Sequence, residues 1–161
     1  MGLLASHRPF DERLTTGFNP ALAARLGMTG LEPFGARDGR PLGMLGAVGR
    51  QPFEVFLARV REEFGGTEAA RAPRGGEVAR VARVAVANAM TDALVREAAA
   101  RGADAYLTGQ LRVPARAAVA DTGIGVVAAG HRRAEEWGLR ELARLLGERW
   151  PGLSTATWPH P

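Results

Sequence analysis

Apolar positions in this chain recur with two periods, and the change of period separates helices from strands. Between residues 52 and 64, Phe53, Phe56, Leu57, Val60 and Phe64 return every three or four positions, the spacing of one helix face. Gly65-Gly66 then follows as a stop. Residues 19–27, NPALAARLG, predict a short helix with Asn19 as its cap, Pro20 in the first turn and Gly27 at its end. Two strand-like runs, GLEPFG from Gly30 and PLGMLGAVG from Pro41, flank the turn sequence ARDGRP. A further short strand, GLLAS, is expected at residues 2–6.

From residue 78 onward the pattern alternates. It predicts a strand over 78–87, a helix over 91–102 with Thr91 as cap and Gly102 as stop, and a strand over 105–108. A helix over 114–121, a strand over 125–129 and a long helix over 131–150 complete the alternation. That last helix is expected to bury Leu139, Leu142, Ala143, Leu146 and Trp150 on one stripe, before a final strand in LSTATW. Strands alternating with helices predict an α/β fold, a mainly parallel sheet with flanking helices and right-handed crossovers. Residues 67–76 read as a connector between an N-terminal lobe, 1–66, and a C-terminal lobe, 77–161.

Composition narrows the chemistry. With 161 residues the chain can bury a real core. Its formal charge is +4, yet every basic residue is Arg, and the arginines are scattered among nearly as many carboxylates. That distribution does not point to nucleic acid, whose binders cluster their basic residues. The absence of Lys excludes a Schiff-base lysine and a Walker-type phosphate loop. The absence of Cys excludes disulfides, thiolate metal sites and thiol nucleophiles. No signal peptide, lipidation motif or apolar run of membrane-spanning length is present, so a soluble cytoplasmic protein is expected.

The polar residues that remain gather at predicted strand ends. His131 and Glu135 stand four apart at the start of the long helix, directly after the strand GVVAA, so both project from one face. A neutral imidazole and a carboxylate so placed can share one divalent ion, and can equally be solvated side chains. His7 and Asp11 repeat the spacing after the first strand, where Asp11 can also simply form the turn. Thr108, Gly109 and Gln110 make a tight strand-to-helix turn, which either approaches a ligand or only turns the chain. Asn88 and Asp92 are similarly placed but read best as helix-capping residues. Trp137, Trp150 and Trp158 read as packing residues, and His160 as part of a tail without a role.

Four ordered blocks, SHRPFD with FNPALAARLGM, then GADAYLTGQ, then AAGHRRAEEWGLRELARLL, resemble the Nif-three-like family, also named GTP cyclohydrolase I type 2 homologs. The resemblance runs over nearly the whole chain. It implies a two-lobed α/β protein that binds a pair of metal ions and assembles into a toroidal hexamer. By that resemblance Asp11, His131 and Glu135 fall on metal ligands for zinc, manganese or iron. His7, Thr108, Gly109 and Gln110 fall near the metals or the substrate. The chain departs from the family in three places. It carries no tandem His-His pair, which implies a start after that segment. It has Gln110 where a Glu is usual, and Ala134 where a Thr is usual. One or two ions at reduced occupancy are therefore expected. So is either metal-dependent hydrolysis of a nucleotide-like substrate or a non-catalytic oligomeric protein with a degenerate site.

Overall fold

The computed structural model describes residues 8–75 and 78–157. His7, the GLLAS segment, Trp158 and His160 lie outside the described residues. The elements run α1 (Arg8–Asp11), α2 (Phe18–Arg25), β1 (Thr29–Arg37), β2 (Arg40–Pro52), α3 (Phe53–Phe64), β3 (Ala69–Arg71) and β4 (Arg80–Val86). They continue with α4 (Asp92–Ala100), β5 (Ala105–Thr108), a 3-10 turn at Val113–Ala115, α5 (Arg116–Thr122), β6 (Gly125–Ala128) and α6 (His131–Arg149).

One six-stranded sheet carries all of them, in the order β1-β2-β4-β5-β6-β3. The α/β class with flanking helices is as expected. β4, β5 and β6 pair in parallel, joined by the helices α4 and α5. β1, β2 and β3 join antiparallel, so the sheet is mixed. The reason at one edge is local: Asp38 and Gly39, both at positive φ, make a two-residue turn that folds β1 straight back onto β2. At the other edge β3 forms within the segment expected as a connector and pairs with β6 through Ala69, Ala70 and Arg71. Three Ala and Arg residues carry no strand signal of their own; the open edge of β6 supplies it.

Strand alternation splits the core in two. Val84, Val86, Leu107 and Val127 face α2, α3 and α6, while Ala85, Tyr106 and Val126 face α4 and α5. Trp137 of α6 sits edge-on to Phe18 at 5.0 Å between centroids and donates its indole N–H to Glu63 at 2.7 Å. Three expectations need correction. The buried stripe of α6 is Ala134, Trp137, Gly138 and Glu141; Leu139 and Trp150 are more than half exposed, and Leu142, Ala143 and Leu146 are half-buried. The helix is rotated because the Trp137 indole needs the aromatic pocket of Phe18 and Phe64. Residues 153–157 form no strand and are exposed, since β1 and β3 end the sheet. Asn19 does not cap α2: Gly17 occupies the cap position, and Asn19 is fully buried as the second residue of the helix. Its amide donates instead to the carbonyls of Asp11 at 2.8 Å and Leu42 at 3.2 Å, tying α1 and β2 together.

These contacts lead to two expected outcomes. Asn19→Ala leaves two carbonyls without their donor and should lower stability by about 2–3 kcal/mol in denaturant unfolding; a change below 0.5 kcal/mol would remove Asn19 from this role. Tyr106 is the sole tyrosine of a chain without Lys or Cys, so it is the only side chain that titrates between about pH 9 and 12. It is fully buried, donates to the Ala89 carbonyl at 2.7 Å, and burial holds its phenol protonated far above the usual range. The unfolded phenol ionises near pH 10, so stability is complete below that pH and falls by about 1.4 kcal/mol per unit above it. Tyr106→Phe should be weaker at neutral pH yet flat across the same alkaline range; parallel pH profiles for the two proteins would contradict this.

Candidate functional site

The parallel strands end together. Val86 pairs with Leu107 and Thr108 with Ala128, and main-chain bonds extend the ladder beyond the strands: Ala87 N–H to Leu107 O, Ala129 N–H to Thr108 O, Gly130 N–H to Gly109 O. Asn88, Gly109 and His131 are thereby delivered to one rim, the carboxyl edge at which open α/β sheets place their ligands. α6 begins there, with Gly130 as its cap, and carries Glu135 one turn beyond His131.

Asp11 reaches the same rim from the other end of the sequence. It closes α1, and the chain after it returns over Gly17, whose N–H donates to Arg13 O at 2.9 Å. A Cβ on Gly17 would lie 2.1 Å from Phe10 O and 2.3 Å from Arg13 O, so only glycine lets α1 settle here. The Asp11 and Glu135 side chains then line one cavity of about 40 Å³ with Asn88, Phe10, Phe18 and Ala134. Asn88 donates its amide to Asp11 Oδ1 at 3.3 Å.

Of the residues singled out from sequence, Asp11 and Glu135 are brought together, both half-buried. His131 is exposed at the first residue of α6. Among the described residues no three His, Asp or Glu side chains are grouped closely enough to hold a metal. Thr108 is buried, and its hydroxyl donates to the Asn88 carbonyl at 3.2 Å, so it braces the turn. Gly109 is buried as well. A Cβ there would stand 3.2 Å from the Ala134 Cβ, so the close approach it permits is to α6. Gln110 is exposed at the rim. Asp92 lies away from it, paired with Arg96 at 2.8 Å, and the cap of α4 is Thr91, which accepts from Leu94 N–H. Asn88 is the residue that sequence reasoning undervalued: its capping reading fails because Thr91 already fills the cap. Its one signal was its place at the end of an apolar strand.

Two carboxylates on one small cavity are donors for a hard divalent ion, which one or two carboxylates hold while other positions stay open to water or phosphate. The donor set fits an ion of that kind. It does not make the closed four-ligand cage of a structural zinc site among the described residues.

Residues 1–158 match the sequence profile of the Duf34/NIF3 (NGG1p interacting factor 3) family. The chain is 31% identical over 151 residues to a Deinococcus radiodurans protein named GTP cyclohydrolase 1 type 2 homolog, covering 93% of this chain and 56% of that protein. A Pseudomonas aeruginosa protein of the same name is 31% identical over 153 residues, 93% of this chain and 58% of its own length. Among solved structures, the chain superposes on the protein ybgI, of unknown function, with a TM-score of 0.72 and 29% identity over 88% of this chain and 55% of that one. It superposes on reduced HcgD from Methanocaldococcus jannaschii with a TM-score of 0.71 and 25% identity, over 89% and 55%. The chain thus spans somewhat more than half the length of these relatives. Profile, sequence relatives and fold agree, and the chain belongs to the Duf34/NIF3 family.

Proposed function

We propose that this chain binds a divalent ion between Asp11 and Glu135, with the remaining positions open to water; His131, exposed one turn before Glu135, is not grouped with the two carboxylates. The observation that carries the reading is that two carboxylates from opposite ends of the sequence line one cavity at the carboxyl edge of the parallel strands. Of zinc, manganese and iron, manganese best suits a set dominated by oxygen donors. Such an ion, when bound, lowers the pKa of water and polarises a substrate oxygen, which is the chemistry of metal-dependent hydrolysis. The names of the Deinococcus and Pseudomonas relatives support a nucleotide-like substrate. Gln110, exposed at the rim, would orient that substrate or the water, while Thr108 and Gly109 hold the turn in place. The reaction would run in the cytoplasm; among the described residues no helix is long and apolar enough to cross a membrane.

A second reading, an oligomeric assembly protein, has its own support. Phe10, Leu142, Leu145, Leu146 and Trp150 line an open depression of about 480 Å³ beside the cavity, and Leu139 and Leu153 are exposed nearby. An apolar face of that extent favours burial against another chain, in keeping with the hexamer implied by family resemblance. The two readings are compatible, because Glu135 lies near the start of α6 and Leu145, Leu146 and Trp150 lie at its far end.

Metal analysis by mass spectrometry tests the first reading. Purified protein loaded with manganese should retain near-stoichiometric metal, and Asp11→Ala and Glu135→Ala should each lose it. Metal-free wild type after loading, or full retention by both variants, would refute it. For the second, sedimentation velocity should show an oligomer that Leu142→Glu with Leu146→Glu converts to monomer. A wild-type monomer at micromolar concentration would count against it.

A further inference from the structure

We infer that Asn88 is the positioning residue of this site: its amide orients the Asp11 carboxylate toward Glu135. The inference rests on the ion-binding reading above. Its starting point is a difference in how firmly the two hydrogen-bonded partners are held. Asn88 belongs to a stretch whose main chain is anchored to β5 at three successive residues. Ala87 N–H donates to Leu107 O at 3.1 Å, Asn88 O accepts from the Thr108 hydroxyl at 3.2 Å, and Ala89 O accepts from the Tyr106 hydroxyl at 2.7 Å. Asp11, by contrast, ends a four-residue helix, too short to be stable by itself. Asn19 fixes its carbonyl, which sets the backbone but not the carboxylate. The carboxylate is addressed by Asn88 Nδ2 at 3.3 Å, from inside the same cavity that Glu135 lines.

The residue types suit the task. An amide donates to a carboxylate without adding charge, so it orients Asp11 without offsetting its negative charge. The single methylene of Asn places that amide directly off the anchored strand end. Neighbours that orient a metal ligand in this way typically govern affinity by about 10–100-fold.

Isothermal titration with manganese chloride tests this on wild type, Asn88→Ala and Asn88→Leu, the last keeping the volume without the donor. Both variants should bind manganese about 10–100-fold more weakly, while their metal-free melting temperatures stay close to wild type, because the anchors of residues 87–89 are main-chain groups. Wild-type affinity in Asn88→Leu, in a background where Asp11→Ala abolishes binding, would overturn the positioning role and leave the ion site standing. A fall in metal-free melting temperature that parallels the affinity loss would also overturn it, by marking Asn88 as merely structural. Failure of wild type itself to bind manganese would instead defeat the ion-binding reading, and this inference with it.

Discussion

The in-register pairing of β4, β5 and β6 determines where Asn88, Gly109 and the start of α6 stand. Three short parallel strands, extended by bonds from Ala87, Ala129 and Gly130, bring three loops to one rim. A shift of one residue in any of them would turn its side chains to the opposite face. It would exchange Val84 and Val86 for Ala85 in the core beneath α3, and it would take Asn88 away from Asp11. Burial of Val84, Val86, Leu107 and Val127 on one face, against Tyr106 and Val126 on the other, makes that slip costly. The rim is thus fixed by the apolar core rather than by its own polar contacts.

Much of this frame is legible in the sequence because the elements carry local signals. α3 follows from the spacing of its five apolar residues, and its Gly65 stop adopts the left-handed conformation. α4 follows from Thr91, and β5 has the predicted bounds. What was not legible depends on partners distant in the chain. β3 exists because β6 offers an edge, and Asn19 is an inner tether because Asp11 and Leu42 present carbonyls to it. The face of α6 is chosen by an aromatic pocket built from α2 and α3. Periodicity alone found a leucine stripe on that helix; the heavier Trp137, with Glu63 to receive its N–H, decided which side turned inward.

The same reasoning explains how the site could be seen in part. Spacing of His131 and Glu135 on one helix is a local property, and so was visible. The shared cavity of Asp11 and Glu135 needs the whole sheet between them, so spacing alone could not show it. Asn88 was undervalued because an Asn between a strand and a helix reads as part of the capping segment, although Thr91 alone fills the cap. Two of the exposed features, the carboxylate cavity and the apolar depression, lie side by side with Phe10 and Leu142 common to both.

The central claim is that Asp11 and Glu135 hold one ion in common. Anomalous diffraction at the manganese edge, on crystals grown with manganese, addresses it most directly. The account predicts a single strong peak within bonding distance of both carboxylates, at the carboxyl edge of β4, β5 and β6. No peak there, or a peak that contacts neither side chain, would contradict it.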